Sequence, residues 1–189
     1  MTHAIGPIIV LDFANFDGAM MLLKKERNLP QFVKIDLEKL VLALTLGSRV
    51  VSKSIYLEKK LPVEADLPRK QDKFTHYLRK TGFNVVTKEM KTINLPDGAQ
   101  RSKNNFDVEI AVDVCRHIWR RDCNEVIIIS GDSDFAYLLK EARNNNIKTT
   151  VVSTTATVSR ELRECSDRLI LLDNLDIEQF LLSRSTHTT

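Results

Sequence analysis

Short apolar runs of strand length alternate with helix-like patterns along the chain, and this alternation constrains the fold more than any other feature. The run Val-Ile-Ile-Ile at 126–129 is continuous and β-branched, which is typical of a central strand buried on both faces. Strand and helix patterns in alternation indicate an α/β fold with a mostly parallel central sheet. We predict six strands, at residues 7–12, 50–57, 84–90, 125–130, 148–153 and 168–172.

The segments between the strands have helical periodicity or the composition of turns. In the segment 107–121 apolar residues recur at helical spacing, and we expect one face of it to be buried. That face is predicted to hold Val108, Ala111, Val112, Cys115, Ile118 and Trp119. Residues 94–105 contain Pro, Gly and several polar residues and are predicted to be a loop. We predict seven helices, at residues 16–25, 36–46, 70–81, 107–121, 134–144, 158–165 and 174–182.

Length and composition limit the number of domains and exclude whole classes of protein. A chain of 189 residues suits one domain with a real core, which we place at residues 1–182, followed by a polar, disordered tail at 183–189. No run of about 18 apolar residues exists, which excludes a membrane-spanning helix, and the N-terminus lacks the basic region of a signal peptide. Three cysteines without a CxxC motif indicate a reducing compartment and therefore a cytoplasmic protein.

The net charge of +3 conceals an uneven distribution along the sequence. Residues 49–103 contain 13 basic and 6 acidic side chains, a net charge of +7, whereas the rest of the chain has a net charge of −4. A basic surface of this kind can bind a polyanion. The same charges could equally be the solvated faces of helices, and the sequence does not decide between the two interpretations.

Aspartate residues stand where the predicted strands end. Asp12 ends the first strand, Asp132 and Asp134 follow the fourth strand, and Asp107 begins the helix after the predicted loop. The carboxyl ends of parallel strands share one edge of a sheet, where ligands bind. We therefore expect these four carboxylates to converge, together with the amide of Asn15.

A cluster of carboxylates raises the pKa of each member unless a cation lies among them. Oxygen ligands alone favour Mg²⁺ or Mn²⁺ over zinc, and such an ion can activate water and stabilise the charge that develops in phosphodiester cleavage. Each aspartate taken alone has a simpler interpretation as a helix cap or a turn residue. The coincidence of three separate segments at one edge is what favours a metal site.

Asp113 lies on a different face of the predicted 107–121 helix. It shares that face with Glu109, Arg116 and Arg120, and an ion pair with Arg116 would account for it without catalysis. Periodicity therefore argues against contact between Asp113 and a metal ion.

Other chemistries fit the sequence poorly. The four histidines are scattered and the cysteines lack metal-ligand spacing, which argues against zinc. A phosphatase of the haloacid dehalogenase type needs a second Asp two residues after the first, and position 14 is Ala. A receiver domain would not have the doublet of Asp132 and Asp134, and neither a Walker A loop nor a GxGxxG fingerprint is present.

Four segments occur in order along the chain: LDFANF, KNNFDVEIAVDV, VIIISGDSDFAYLLKEARNNNIKTTVVS and SRELRECSDRLILL. Together they resemble the NYN domain of the LabA-like group, which belongs to the PIN-like nuclease superfamily. The resemblance implies a Rossmann-like, three-layer α/β/α sandwich and a metal-dependent ribonuclease with Mg²⁺ or Mn²⁺ as its cofactor. The catalytic and metal-binding acids that it implies are Asp12, Asp107, Asp132 and Asp134. The supporting residues are Asn15, Asp113 and Ser130.

Contacts with RNA are predicted from residues close to the acidic edge. Phosphate contacts would give sequence-independent, salt-sensitive binding. The basic candidates for them are Lys88, Lys91, Arg101 and Lys103. Phe13, Phe16 and Phe106 lie close to the motif acids, and they either stack on the bases of a single strand or belong to the core.

Two functions remain open from the sequence. The first is a ribonuclease acting on single-stranded RNA, and the second is a nucleic-acid-binding or regulatory module that keeps the fold but cleaves little. Endonucleolytic or exonucleolytic action, and one metal ion or two, are equally open. Self-association into a homo-oligomer is common for small α/β folds, but the sequence names no interface for it.

Overall fold

The structure, a computed structural model, describes residues 5–59, 67–89, 91–94, 100–103 and 105–182, and of residues 67–70, 91–94 and 100–103 it describes the backbone only. The predicted disordered tail at 183–189 lies outside the described residues, so it stays a prediction.

Two sheets are present in the described part of the chain. The strands are β1 (Gly6–Asp12), β2 (Ser52–Lys59), β3 (Asn84–Glu89), β4 (Lys91–Asn94), β5 (Gln100–Lys103), β6 (Cys123–Ile129), β7 (Lys148–Ser153) and β8 (Arg168–Leu171). Six of them pair in parallel in the order β3-β2-β1-β6-β7-β8. β4 and β5 pair with each other as an antiparallel hairpin. The six strands of the main sheet correspond to the six predicted ones.

Helices connect the parallel strands. They are α1 (Phe13–Glu26), α2 (Leu37–Leu44), α3 (Leu67–Lys80), α4 (Asp107–Arg120), α5 (Ala136–Asn144) and α6 (Arg160–Cys165). Three short 3₁₀ turns accompany them, at Ser133–Phe135, Leu172–Asn174 and Ile177–Phe180.

The helices cover both faces of the main sheet. Along β1, Ile8 and Val10 face a core shared with α4, α5 and α6, whereas Ile9 and Leu11 face a core shared with α1, α2 and α3. The central run 126–129 is at most 1% exposed, and burying each such side chain contributes about 1.5–3 kcal/mol. This arrangement is the three-layer α/β/α sandwich that the motifs implied.

The predicted loop at 94–105 is wrong in part, because Gln100–Lys103 forms β5. Pro96 and Gly98, which favoured a loop, lie outside the described residues. β5 has the sequence QRSK. A strand of four polar residues shows no apolar alternation, so the pattern gave no signal for it.

The predicted helix at 174–182 is also wrong. This segment forms 3₁₀ turns, and its end is tied to the segment before α2. The Phe180 carbonyl accepts a hydrogen bond from the Asp36 amide at 2.6 Å, and Leu181 forms an antiparallel bridge with Ile35. These long-range contacts end the 3₁₀ turn at Phe180 and make Leu181 extended, whereas local periodicity favoured a continuous helix.

The buried face of α4 differs from the predicted one. Ile110, Val114 and Ile118, spaced four residues apart, are 0–3% exposed. Val108 and Trp119, which were predicted to be buried, are 72% and 73% exposed. The helix is rotated relative to the prediction, and Cys115 lies at the border of the core.

No helix in the described residues is long and apolar enough to span a membrane. All three cysteines are free thiols.

Candidate active site at the carboxyl edge of the sheet

Asp12 and Ser130 lie side by side because β1 and β6 are neighbours in register. Leu11 pairs with Ile129, so the next residue of each strand reaches the carboxyl edge together. Ser130 Oγ donates to one carboxylate oxygen of Asp12 at 3.3 Å, and the backbone N–H of Asn15 donates to the other at 3.4 Å. Both carboxylate oxygens of Asp12 are therefore oriented by the protein.

Asn15 connects the first helix to the loop after β6. Its Oδ1 accepts a hydrogen bond from the Gly131 amide at 2.8 Å. A Cβ atom at Gly131 would lie only 2.2 Å from the carbonyl oxygen of Thr157, so glycine is required there for close packing. The φ angle of Gly131 is not positive, so the need for glycine comes from this close approach and not from a left-handed backbone.

Asp132 caps the 3₁₀ turn that leads into α5. Its Oδ1 accepts a hydrogen bond from the Asp134 amide at 3.1 Å, and its own amide donates to Ser130 Oγ at 3.3 Å. Asp134 is exposed. The capping interpretation of Asp132 therefore holds, and it leaves the second carboxylate oxygen of Asp132 available to a ligand.

Asp107 is the first residue of α4. Asn105 supplies the capping contact, because its Oδ1 accepts a hydrogen bond from the Asp107 amide at 2.7 Å. The carboxylate of Asp107 is thus not needed as a cap. It is half-buried and faces the charges of the β6–α5 loop.

The neighbouring acids contribute to the pKa values of Asp12 and Asp107. Burial raises the pKa of Asp12, hydrogen bonds from Asn15 and Ser130 lower it, and the charges of Asp107 and Asp132 raise it further. Burial likewise raises the pKa of Asp107, the contact with Asn105 lowers it, and the carboxylates of Asp132 and Asp134 raise it. This repulsion is the property that a bound cation would relieve.

The donor set fits a hard divalent cation in its chemistry, since every candidate ligand is a carboxylate oxygen. As positioned here, no three His, Cys, Asp or Glu side chains of the described residues are close enough together to hold a metal ion. Side-chain rotation of Asp107, Asp132 and Asp134 would have to complete such a site.

Asp113 belongs to a separate hydrogen-bonded group. Its carboxylate accepts a hydrogen bond from the Tyr56 hydroxyl at 2.8 Å and pairs with Arg116 at 2.5 Å. Burial raises the pKa of Tyr56, and the Asp113 carboxylate raises it further. The ion pair with Arg116 is the one that the sequence predicted, and the side chain of Asp113 is only 28% exposed. Tyr56 pairs in register with Asp12, so this group fixes α4 against the strand beside the acidic edge.

Lys88 is the one predicted phosphate ligand whose side chain lies in the described residues. It forms an ion pair with Glu109 at 2.5 Å and donates to the Asn105 carbonyl at 2.9 Å. Its ammonium also lies 5.2 Å from the centre of the Phe106 ring. Lys91 is in β4, and Arg101 and Lys103 are in β5, a hairpin that leads directly into α4. Their side chains lie outside the described residues.

The basic segment 49–103 is divided between the two edges of the sheet. Lys59 and Lys88 lie at the carboxyl ends of β2 and β3. Arg49, Lys53 and Lys80 lie at the opposite edge, where β2 begins and α3 ends. Only part of the positive charge can therefore meet a ligand at the acidic edge.

The three phenylalanines predicted to stack on bases or to join the core differ in burial. Phe16 and Phe106 are 5–6% exposed and belong to the two cores. Phe13 is half-buried, and its ring centre lies 5.5 Å from that of Phe74.

Sequence reasoning missed Tyr56, Asn105 and Phe74. Of the three, only Asn105 could have been found from the sequence, because an Asn just before a helix start is a candidate cap. Tyr56 and Phe74 acquire their contacts only through tertiary packing.

Comparison with known proteins identifies the family. The NYN domain family matches residues 9–173. The "Low amplitude and bright protein LabA" of Synechococcus elongatus is 34% identical over 116 residues, which span 60% of this chain and only 60% of that protein.

A crystal structure of a protein of unknown function, VPA0982 from Vibrio parahaemolyticus, is 27% identical with a TM-score of 0.67, and the match covers 96% of this chain and 99% of that one. The family match supports a place in the PIN-like nuclease superfamily. The chain belongs to the NYN domain family, as a LabA-like member.

Proposed function

We propose that this protein is a metal-dependent ribonuclease that hydrolyses phosphodiester bonds in single-stranded RNA. The observation that carries the proposal is the placement of Asp12, Asp107, Asp132 and Asp134 at one edge, where burial raises the pKa values of Asp12 and Asp107 and the neighbouring acids raise them further. Repulsion of this kind, with no basic side chain among the causes, is expected of a site that receives a cation.

The four carboxylates would hold Mg²⁺ or Mn²⁺, with Asp12 oriented by Ser130 and Asn15. When bound, such an ion lowers the pKa of water and stabilises the negative charge that develops at the phosphate. The protein's own contribution is to orient Asp12 through Ser130 and Asn15 and to hold the loop after β6 through the Asn15–Gly131 contact. The other three carboxylates would reach the ion by side-chain rotation.

A second candidate function is a nucleic-acid-binding or regulatory module with little cleavage. The observation in its favour is that no three acidic side chains in the described residues are positioned to hold a metal ion. Both functions share an RNA partner, so the test must separate binding from cleavage.

A labelled single-stranded RNA provides that test. Cleavage should require Mg²⁺ or Mn²⁺, stop with a chelator, and fall by orders of magnitude in Asp132→Asn. Asn caps helices as well as Asp does, so this variant should keep the fold. Asp176→Asn is the matched control, because Asp176 is exposed and its side chain accepts a hydrogen bond from Gln179.

The results distinguish the two functions. If Asp132→Asn cleaves RNA as fast as Asp176→Asn, the assignment of the active site is wrong. If neither the wild type nor the variants cleave but all bind RNA, the protein is the binding module.

We also propose a cytoplasmic location, which the state of the cysteines supports. Burial raises the pKa of Cys123 to about 11 and raises the pKa of Cys115 and Cys165 as well. Burial makes these thiols unreactive, and all three are free rather than paired in disulfides, which supports a reducing compartment.

A further inference from the structure

An aromatic groove runs along α1 from the acidic edge. It has a volume of about 420 Å³ and lies between α1, the segment 31–37 and α3. It begins at Phe13, the residue that follows Asp12, and reaches Lys24 near the other end of the helix. We call it the α1–α3 groove. The groove therefore begins one residue away from Asp12 in the sequence, on the α1 side of the acidic edge.

Phenylalanine rings form much of the wall of this groove. Phe13 and Phe74 are half-buried and lie 5.5 Å apart between ring centres, tilted by 49°. Phe32 is 65% exposed at the rim, whereas Phe16 is buried in the floor. Phe13, Phe32 and Phe74 line the same cavity, and an apolar surface shared by several side chains marks an interaction site more readily than a single exposed ring does.

Cationic and amide side chains stand among the rings. The ammonium of Lys34, an exposed residue, lies 5.7 Å from the centre of the Phe74 ring. Gln71 lines the same wall. A second cavity of about 470 Å³ shares Phe13, Gln71 and Phe74 with the groove and extends to Lys59 at the end of β2. The aromatic surface therefore reaches a basic residue at the acidic edge. The carboxylates of Asp17, Glu58 and Asp72 line the same second cavity, and Asp17 also lines the groove.

We infer that the α1–α3 groove binds the unpaired bases of the RNA strand, by stacking on Phe13, Phe32 and Phe74. The choice of RNA as the ligand rests on the proposed function. Aromatic rings interleaved with basic side chains are how proteins bind single strands without sequence preference. The volume lies within the range of ligand sites, and a duplex could not present its base faces to such a wall.

Binding of a short, unstructured, fluorescently labelled RNA tests this inference, measured by polarisation in the presence of a chelator so that cleavage does not interfere. Phe32→Leu and Phe74→Leu should each weaken binding by about fivefold or more, which is the lower end of the contribution of one stacked base. Lys34→Ala should also weaken binding, and because Lys34 is exposed this variant keeps the fold. Binding of duplex RNA should not change in any of them.

Trp119→Leu is the matched control. Trp119 is 73% exposed on α4, which packs on the opposite face of the sheet, so its loss should leave RNA binding unchanged. Thermal unfolding of each variant identifies any that fails to fold.

The outcomes separate this inference from the proposed function. If folded Phe32→Leu, Phe74→Leu and Lys34→Ala all bind single-stranded RNA as Trp119→Leu does, the inference is overturned even when the wild type cleaves RNA. If they bind more weakly but the wild type does not cleave, the groove is an RNA site and the nuclease proposal fails. A wild type that does not bind single-stranded RNA overturns the inference.

Discussion

The two edges of the main sheet hold aspartates in opposite electrostatic states. At the carboxyl edge, burial and neighbouring acids raise the pKa of Asp12 and Asp107. At the amino edge, before β8, the amide and hydroxyl of Thr149 both donate to Asp167 at 2.8 Å. These bonds and the charges of Arg143 and Lys148 lower the pKa of Asp167.

The difference distinguishes a carboxylate whose charge stabilises the fold from carboxylates whose charge is opposed by their surroundings. Asp167 has donors and cations that favour its charged form, so its ionisation stabilises the fold. Asp12 and Asp107 are held among like charges, which opposes folding. A protein retains such an arrangement where another component restores the balance, and we propose that this component is a divalent cation.

The largest effect is expected from changing the glycine that packs the carboxyl edge. In Gly131→Ala the new Cβ would lie 2.2 Å from the Thr157 carbonyl oxygen, a clash with backbone that should cost about 1–3 kcal/mol. The measurement is the free energy of unfolding in denaturant.

Gly18→Ala is the control for that prediction. Gly18 lies inside α1 with nothing within 4 Å of its added Cβ, so the change should stabilise the protein by about 0.5–1 kcal/mol. If the two variants have the same stability, the carboxyl edge is not as tightly packed as described.

A smaller effect, of opposite sign at the two edges, is expected from neutralising one aspartate. Without divalent metal at neutral pH, Asp12→Asn should raise Tm, because it removes charge repulsion. Asp167→Asn should lower Tm, because it removes a favourable charge. Each change should be about 2–4 °C, the equivalent of about 1 kcal/mol in a domain of this size.

The pH dependence of these differences should also be opposite. The lowered pKa of Asp167 gives stability that is present above its unfolded pKa and is lost as the pH falls through the folded value. The deficit of Asp167→Asn should therefore shrink progressively as the pH falls below about 4. The raised pKa of Asp12 makes its charged form costly, so the gain of Asp12→Asn should shrink as acid protonates the wild type. Changes of the same sign in both variants would contradict the comparison.

The sequence predicted the scaffold well because the scaffold depends on local patterns. The β-branched run at 126–129 and the aspartates after β1 and β6 indicated the central strands and the edge where acids meet. The rotation of α4, which exposes Trp119, and the 3₁₀ turns at the end of the chain depend on packing between distant segments. The four polar residues of β5 have no periodic signal at all.

The finer parts of the site could not be predicted for the same reason. The Tyr56–Asp113 contact joins residues 57 positions apart, and Phe74 meets Phe13 only when α3 packs beside α1. No motif or spacing encodes such pairs. The sequence could name the acids and the ion pair of Asp113 with Arg116, but not the hydrogen bonds that orient Asp12 or the contact of Asp113 with Tyr56.

Binding of Mn²⁺, measured by titration calorimetry on the wild type, Asp12→Asn and Asp167→Asn, tests the central claim most directly. The carboxyl edge is proposed to hold a divalent cation and the amino edge is not. The wild type and Asp167→Asn should therefore bind Mn²⁺ alike, whereas Asp12→Asn should bind it far more weakly. Equal binding by all three proteins, or no binding by the wild type, would contradict the account.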